Sequence, residues 1–235
     1  MTTPTTAPTR RPAWRGLTAT FRALLMGLLC TGLVLGGAGA AHAALAVPKA
    51  SVKLVTGPER ASGYQGQVTC DPKERPGTVA LRSLLARTYG ANKGGIVRSC
   101  SSGGRSEHKE GRAYDWMLNA NRSADRSKAD KFIVWLTGKD SKGVKAGNAR
   151  RLGVQYVIWN KRMWSSWDGR WKKYEGANPH TDHVHISLSW NGAMKRTSFW
   201  TGKAVTKVDH GPCVKKKGKL APKYTKPNYR PCPRV

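Results

Sequence analysis

Apolar residues recur at helical spacing twice along the chain. Val79, Leu81, Leu84, Leu85 and Tyr89 fall on one face after Pro76-Gly77-Thr78 and stop at Gly90, which predicts a helix over 79–89. A second helix is predicted from an N-cap at Ser123 through Phe132, Ile133, Trp135 and Leu136 to Gly138. A shorter one is expected over 148–152. Three runs rich in β-branched or aromatic residues, 112–118, 154–159 and 183–188, read as strands. Helices and strands interspersed in this way predict a single α+β domain.

The pattern changes at both ends. Arg10, Arg11, Arg15 and Arg22 precede an apolar run from Ala23 to Leu35, and Ala41-His42-Ala43 offers small residues for cleavage. Residues 1–43 therefore read as a signal peptide, with Cys30 inside it. The run falls short of the roughly 20 residues that span a bilayer, so no stable membrane anchor is expected. Residues 44–69, with Pro48, Gly57, Pro58, Gly63 and Gly66, read as an irregular lead-in. The domain proper is expected over 70–200. Residues 201–235 read as an extended basic Pro/Lys-rich tail pinned by Cys213 and Cys232.

Charge and cysteines narrow the setting. The whole chain carries a formal +29, and removing four arginines with residues 1–43 leaves 38 basic against 13 acidic residues, or +25. Folding does not need such an excess, which points to a polyanionic environment. Export favours the cell wall over cellular nucleic acid. The mature part keeps four cysteines, an even number that suits disulfides in an oxidising compartment, and none stands in the short CxxC spacing of a zinc ribbon. Of the three possible pairings, Cys70 with Cys100 and Cys213 with Cys232 is favoured, because each pair brackets one local segment.

Metal-ligand residue types concentrate in two segments, Ser106 to Asp115 and His180 to His185, which hold four of the five histidines beyond residue 43. Two imidazoles and one carboxylate make a three-ligand zinc set with a fourth position open. Alternation along the first strand puts Ala113, Asp115 and Met117 on one face and Tyr114 and Trp116 on the other. His108 precedes that strand, and Gly111 lets the chain turn so that imidazole and carboxylate approach one ion. His183 and His185 share a face, so both reach the site. Asp182, three residues before His185, can act on the nucleophilic water.

The first segment resembles the SxHxxGxAxD motif of the zinc D-Ala-D-Ala carboxypeptidase and cell-wall endopeptidase family, and every specified position fits. That family shares its fold with the Hedgehog signalling domain, a small antiparallel sheet with packed helices. Asp182-His183-Val184-His185 is similar to the family's (Glu/Asp)-x-x-His element, with aspartate where many members have glutamate. The likeness spans 70–190 and looks closest to exported actinobacterial members. It implies that His108, Asp115 and His185 bind Zn²⁺ and that Asp182 is the base. Arg98, in an Arg-Ser context, is the implied transition-state arginine, with Arg105 the other candidate, and His183 would help to offset the oxyanion charge.

The expected function is thus an exported, monomeric zinc metallopeptidase of the D,D- or L,D-carboxypeptidase or endopeptidase type. Its substrates would be peptidoglycan peptides, and its basic tail would meet anionic wall polymers. The alternative is a non-catalytic wall-binding protein that keeps the fold and the metal. A nuclease is suggested by charge alone, without a recognition signature. Ser106 is expected to support its loop, His180 to cap a turn or line the cleft, and Glu107 and Glu110 to be solvated. Trp116, Trp135 and Trp159 read as core, while Trp164, Trp167 and Trp171 are even candidates for the cleft rim.

Overall fold

A computed structural model describes residues 45–235; the expected signal segment and its cleavage point lie outside the described residues. Five strands form one antiparallel sheet in the order β1-β5-β2-β3-β4: β1 Ala113–Met117, β2 Val154–Trp159, β3 Arg162–Ser165, β4 Trp171–Lys173 and β5 His183–Leu188. The helices are α1 Pro76–Tyr89, α2 Ser123–Thr137, α3 Gly147–Leu152 and the single turns α4 Trp190–Ala193 and α5 Ser198–Thr201. The result is one α+β domain, as the interspersed pattern implies.

Alternation sorts the sheet into two faces. Tyr114 and Trp116 of β1, Val157 and Trp159 of β2, and Val184, Ile186 and Leu188 of β5 are buried with Leu81, Leu84 and Leu85 of α1 and Phe132 and Leu136 of α2. The opposite side chains, Asp115, Tyr156, His183 and His185, are left for the other face. Register then decides what meets there: Asp115 stands directly across from His185, Met117 from His183 and Ala113 from Ser187.

Differences from the sequence reading are local. Helix α2 begins at Ser123, but its N-cap is Arg122 and no side chain caps it. Strands β3 and β4 were not expected. β2 turns into β3 through Asn160 and Lys161, both at positive φ, the geometry of a tight hairpin. The hairpin buries Trp164 to 1 %, so this residue belongs to the core and not to a cleft rim.

The two disulfides are Cys70–Cys100 and Cys213–Cys232, the favoured pairing, and they suit an oxidising setting. No helix among the described residues is long and apolar enough to cross a membrane. Residues 45–75 form no helix or strand, yet they are anchored. Buried Glu59 accepts from Ser198 N and Oγ at 2.6 and 2.8 Å, and Gln65 N donates to Gln155 Oε1 at 2.8 Å.

Candidate metal centre

The loop that carries His108 is a single 3-10 turn, Glu107–Glu110. Ser106 caps it, its Oγ accepting from His108 N at 3.4 Å, and Gly111 ends it at φ 68°. A Cβ at Gly111 would meet the Lys73 carbonyl, so only glycine lets the chain turn here into β1. Glu107 and Glu110 are buried, contrary to the solvated positions expected from their charge. Glu110 Oε1 accepts from Val68 N and Thr69 N at 2.9 and 3.0 Å, and Oε2 accepts from Arg112, itself fully buried. Arg112 also donates to the Leu188 and Gln65 carbonyls. A buried ion pair persists only when its remaining donors and acceptors are satisfied in this way. The effect is to lock the turn to the lead-in and to the end of β5.

Three side-chain atoms converge on the open face of the sheet. His108 Nε2 lies 2.9 Å from Asp115 Oδ1 and 3.2 Å from His185 Nδ1, and His185 Nδ1 lies 2.9 Å from Asp115 Oδ1. His108 Nδ1 is 2.9 Å from the Ile96 carbonyl, which can only accept, so the ring proton sits there and Nε2 is left as an acceptor. In the neutral state three acceptor atoms therefore meet with at most one proton, on His185, between them. A divalent cation satisfies all three. Bonds of about 2.0–2.2 Å to zinc imply tetrahedral edges of about 3.3–3.6 Å, so the set accommodates the ion by opening a few tenths of an ångström. Burial alone would raise the Asp115 carboxyl, but hydrogen bonds and charge from His108 and His185 hold it far below the usual carboxylate range. Burial pushes the His185 imidazole down, which keeps it neutral and able to ligate.

The other site-face residues surround this triad. His183 Nδ1 is 2.8 Å from Asp182 Oδ1, and its Nε2 is 3.5 Å from Asp115 Oδ1. Asp182 itself is two-thirds exposed, so the imidazole stands nearer the triad than the carboxylate does. Arg98 lies at the rim, Nη2 3.7 Å from Asp115 Oδ2 and nearly half exposed; Arg105 is also exposed. His180, at φ 51°, pairs Nδ1 with the Asn178 carbonyl at 2.7 Å and packs on His183 and His185. His180, His183 and His185 thus form a second grouping within reach of one ion. His108, Asp115 and His185 make the better set, because a carboxylate offsets the cation's charge and the three atoms are already adjacent.

Two aromatic residues escaped the sequence reading. Tyr156 stacks on His185 at 5.5 Å and 20°, and its hydroxyl donates to Glu107 Oε2 at 2.6 Å. Tyr64, from the lead-in, stands 6.2 Å from Tyr156 and 5.7 Å from Trp167. Alternation in β2 away from core Val157 and Trp159 was the available signal for Tyr156. Tyr64 lies in an irregular segment and had none. Trp167 is 42 % exposed beside this pair, whereas Trp171 sits apart against Arg162.

A family model described as VldE, C-terminal domain, matches residues 70–185, a span that opens at Cys70 and closes on His185. No curated protein and no solved structure matches the chain.

Proposed function

We propose that this chain is an exported zinc-dependent peptidase that hydrolyses peptide bonds in the stem peptides or cross-links of bacterial peptidoglycan. The observation that carries the reading is the meeting of His108 Nε2, Asp115 Oδ1 and His185 Nδ1 at one point with too few protons to satisfy them. Zinc held by these residues would supply a Lewis acid for the scissile carbonyl and lower the pKa of water toward 7. Asp182, the base implied by motif resemblance, acts here as one half of a pair. Its carboxylate accepts a hydrogen bond from His183 Nδ1–H, which leaves Nε2 as the proton acceptor facing the triad. The same nitrogen then returns the proton to the leaving amine. Arg98, with Nη2 3.7 Å from Asp115 Oδ2, is the side chain assigned to offset the charge of the developing oxyanion, an effect typically worth about 2.7–4 kcal/mol for one well-placed donor.

The substrate rests on the motif likeness, the disulfides and the positive charge together. Peptidoglycan digests analysed by mass spectrometry test it. New peptide fragments should appear with the purified chain, vanish with a chelator and return with zinc. His183→Ala should keep about one zinc per chain and lose hydrolysis, and Asp182→Asn should slow it. A zinc-loaded protein that releases no peptide would overturn the enzyme reading and leave a wall-binding protein with a structural metal.

A further inference from the structure

The C-terminal lobe takes no part in the chemistry above. Between 203 and 235 ten lysines and arginines stand against one acid, Asp209. That acid is buried and fully engaged. Oδ2 accepts from Arg196 Nη1 at 2.7 Å and from the Tyr224 hydroxyl at 2.5 Å, while Oδ1 accepts from Gly211 N and Asn228 N, both at 2.9 Å. Tyr224 lies flat on Trp190, rings 4.2 Å apart and 9° from parallel. The Cys213–Cys232 bond closes the lobe, and five prolines restrict the backbone between and beyond. A segment without helix or strand is thus held in one shape.

That shape borders an open surface groove of about 770 Å³, with Lys215, Lys223, Lys226 and Arg230 in its lining. None of these four takes part in an ion pair among the described residues. Like charges gathered on a stapled wall repel one another, and an anion in the groove relieves that repulsion. Proteins that grip single-stranded nucleic acid add rows of aromatic platforms for the bases. Here Tyr224 is committed to Trp190, which leaves Tyr229, about half exposed, as the one aromatic ring available in the lining. The groove therefore suits a charged chain without bases. A second depression of about 330 Å³ shares Pro212 and Val214 with it and reaches Tyr64, the neighbour of Tyr156 on His185.

We infer that the stapled lobe is a built binding site for a linear poly(polyol phosphate), which it holds alongside the metal centre. The choice of polymer rests on the exported location proposed above, whereas the binding uses neither metal nor hydrolysis. A labelled synthetic poly(glycerol phosphate) oligomer, titrated by fluorescence anisotropy, tests it. Replacing Lys215, Lys223, Lys226 and Arg230 together by Gln should weaken binding about 100-fold and flatten the slope of log Kd against log salt by about 3. The same charge removed from Arg122, Lys128, Lys131 and Lys142 should weaken it no more than about threefold. Equal losses from the two sets would reduce the effect to net charge and overturn the site. Cys213→Ser with Cys232→Ser keeps every cation, so binding as tight as the parent's would also overturn a built groove, and a clear loss supports it. Tighter binding of single-stranded DNA of matched charge would overturn the polymer assigned. Loss of binding with peptide hydrolysis intact would leave the peptidase reading untouched, and the converse holds equally.

Discussion

Tyr156 couples the buried acid of one loop to the ring of His185, a proposed zinc ligand. Tyr156→Phe removes the donor to Glu107 and leaves a buried carboxylate short of a partner, a change expected to cost about 1–3 kcal/mol in a denaturant titration. Loss of this outer support should also weaken zinc binding about 10–100-fold, measured by competition with a chromophoric chelator. Gly111→Ala asks for a left-handed alanine worth roughly 1–2 kcal/mol of strain, and places its Cβ against the Lys73 carbonyl as well. Both stability and zinc affinity should fall, whereas a zinc affinity equal to the parent's would show that the turn does not position His108. At this scale the motifs made the ligand candidates legible, because alternation fixes which side chains share a face. Burial of Glu107 and Glu110 was not legible, since their partners Tyr156, Val68, Thr69 and Arg112 come largely from distant parts of the chain.

Elements differ in how much local signal they carry. Helix α1 and strands β1, β2 and β5 announce themselves because each packs a periodic apolar face into the core. Strands β3 and β4 are short, and the first two positions of β3 and all of β4 are incompletely buried, so no clean alternation appears. Their turn is Asn-Lys, where the strongest hairpin signal would be Asn-Gly. Trp164 consequently read as an exposed aromatic among polar neighbours. The 3-10 turn depends on Glu110, so Glu110→Ala should strand buried Arg112 and cost about 3–5 kcal/mol, seen as a lower melting midpoint. The charge-preserving Glu110→Asp should recover only part of this, because the carboxylate no longer reaches both the 68–69 amides and the guanidinium.

Across the whole molecule, disulfides and proton uptake set the conditions under which the fold holds. Reduction of Cys70–Cys100, which spans a separation of 30 residues, should lower stability by about 3.5 kcal/mol in the chain-entropy account. The check is a denaturant midpoint with and without reductant, compared in Cys213→Ser/Cys232→Ser so that one bond is read at a time. Burial, followed by the charge of His185 and His183, holds the His180 imidazole down at about 4 from its ordinary 6.5. Between those values the unfolded chain binds more protons, so this contribution is complete above about 6.5 and is lost as pH falls toward 4. Unfolding midpoints of the metal-free chain should therefore drop across that window, and His180→Asn should flatten the drop.

The register of β1 against β5 has a further consequence in time. Asp115 faces His185 only when strands 70 residues apart in sequence pair without a slip, and a one-residue shift would present Val184 or Ile186 in place of the imidazole. A chain folded only as far as β2 presents His108 and Asp115 and lacks His185, the third of the proposed ligands. Zinc uptake at the proposed site should therefore report completed folding: the three side chains meet only with the last strand of the sheet and cannot do so before it.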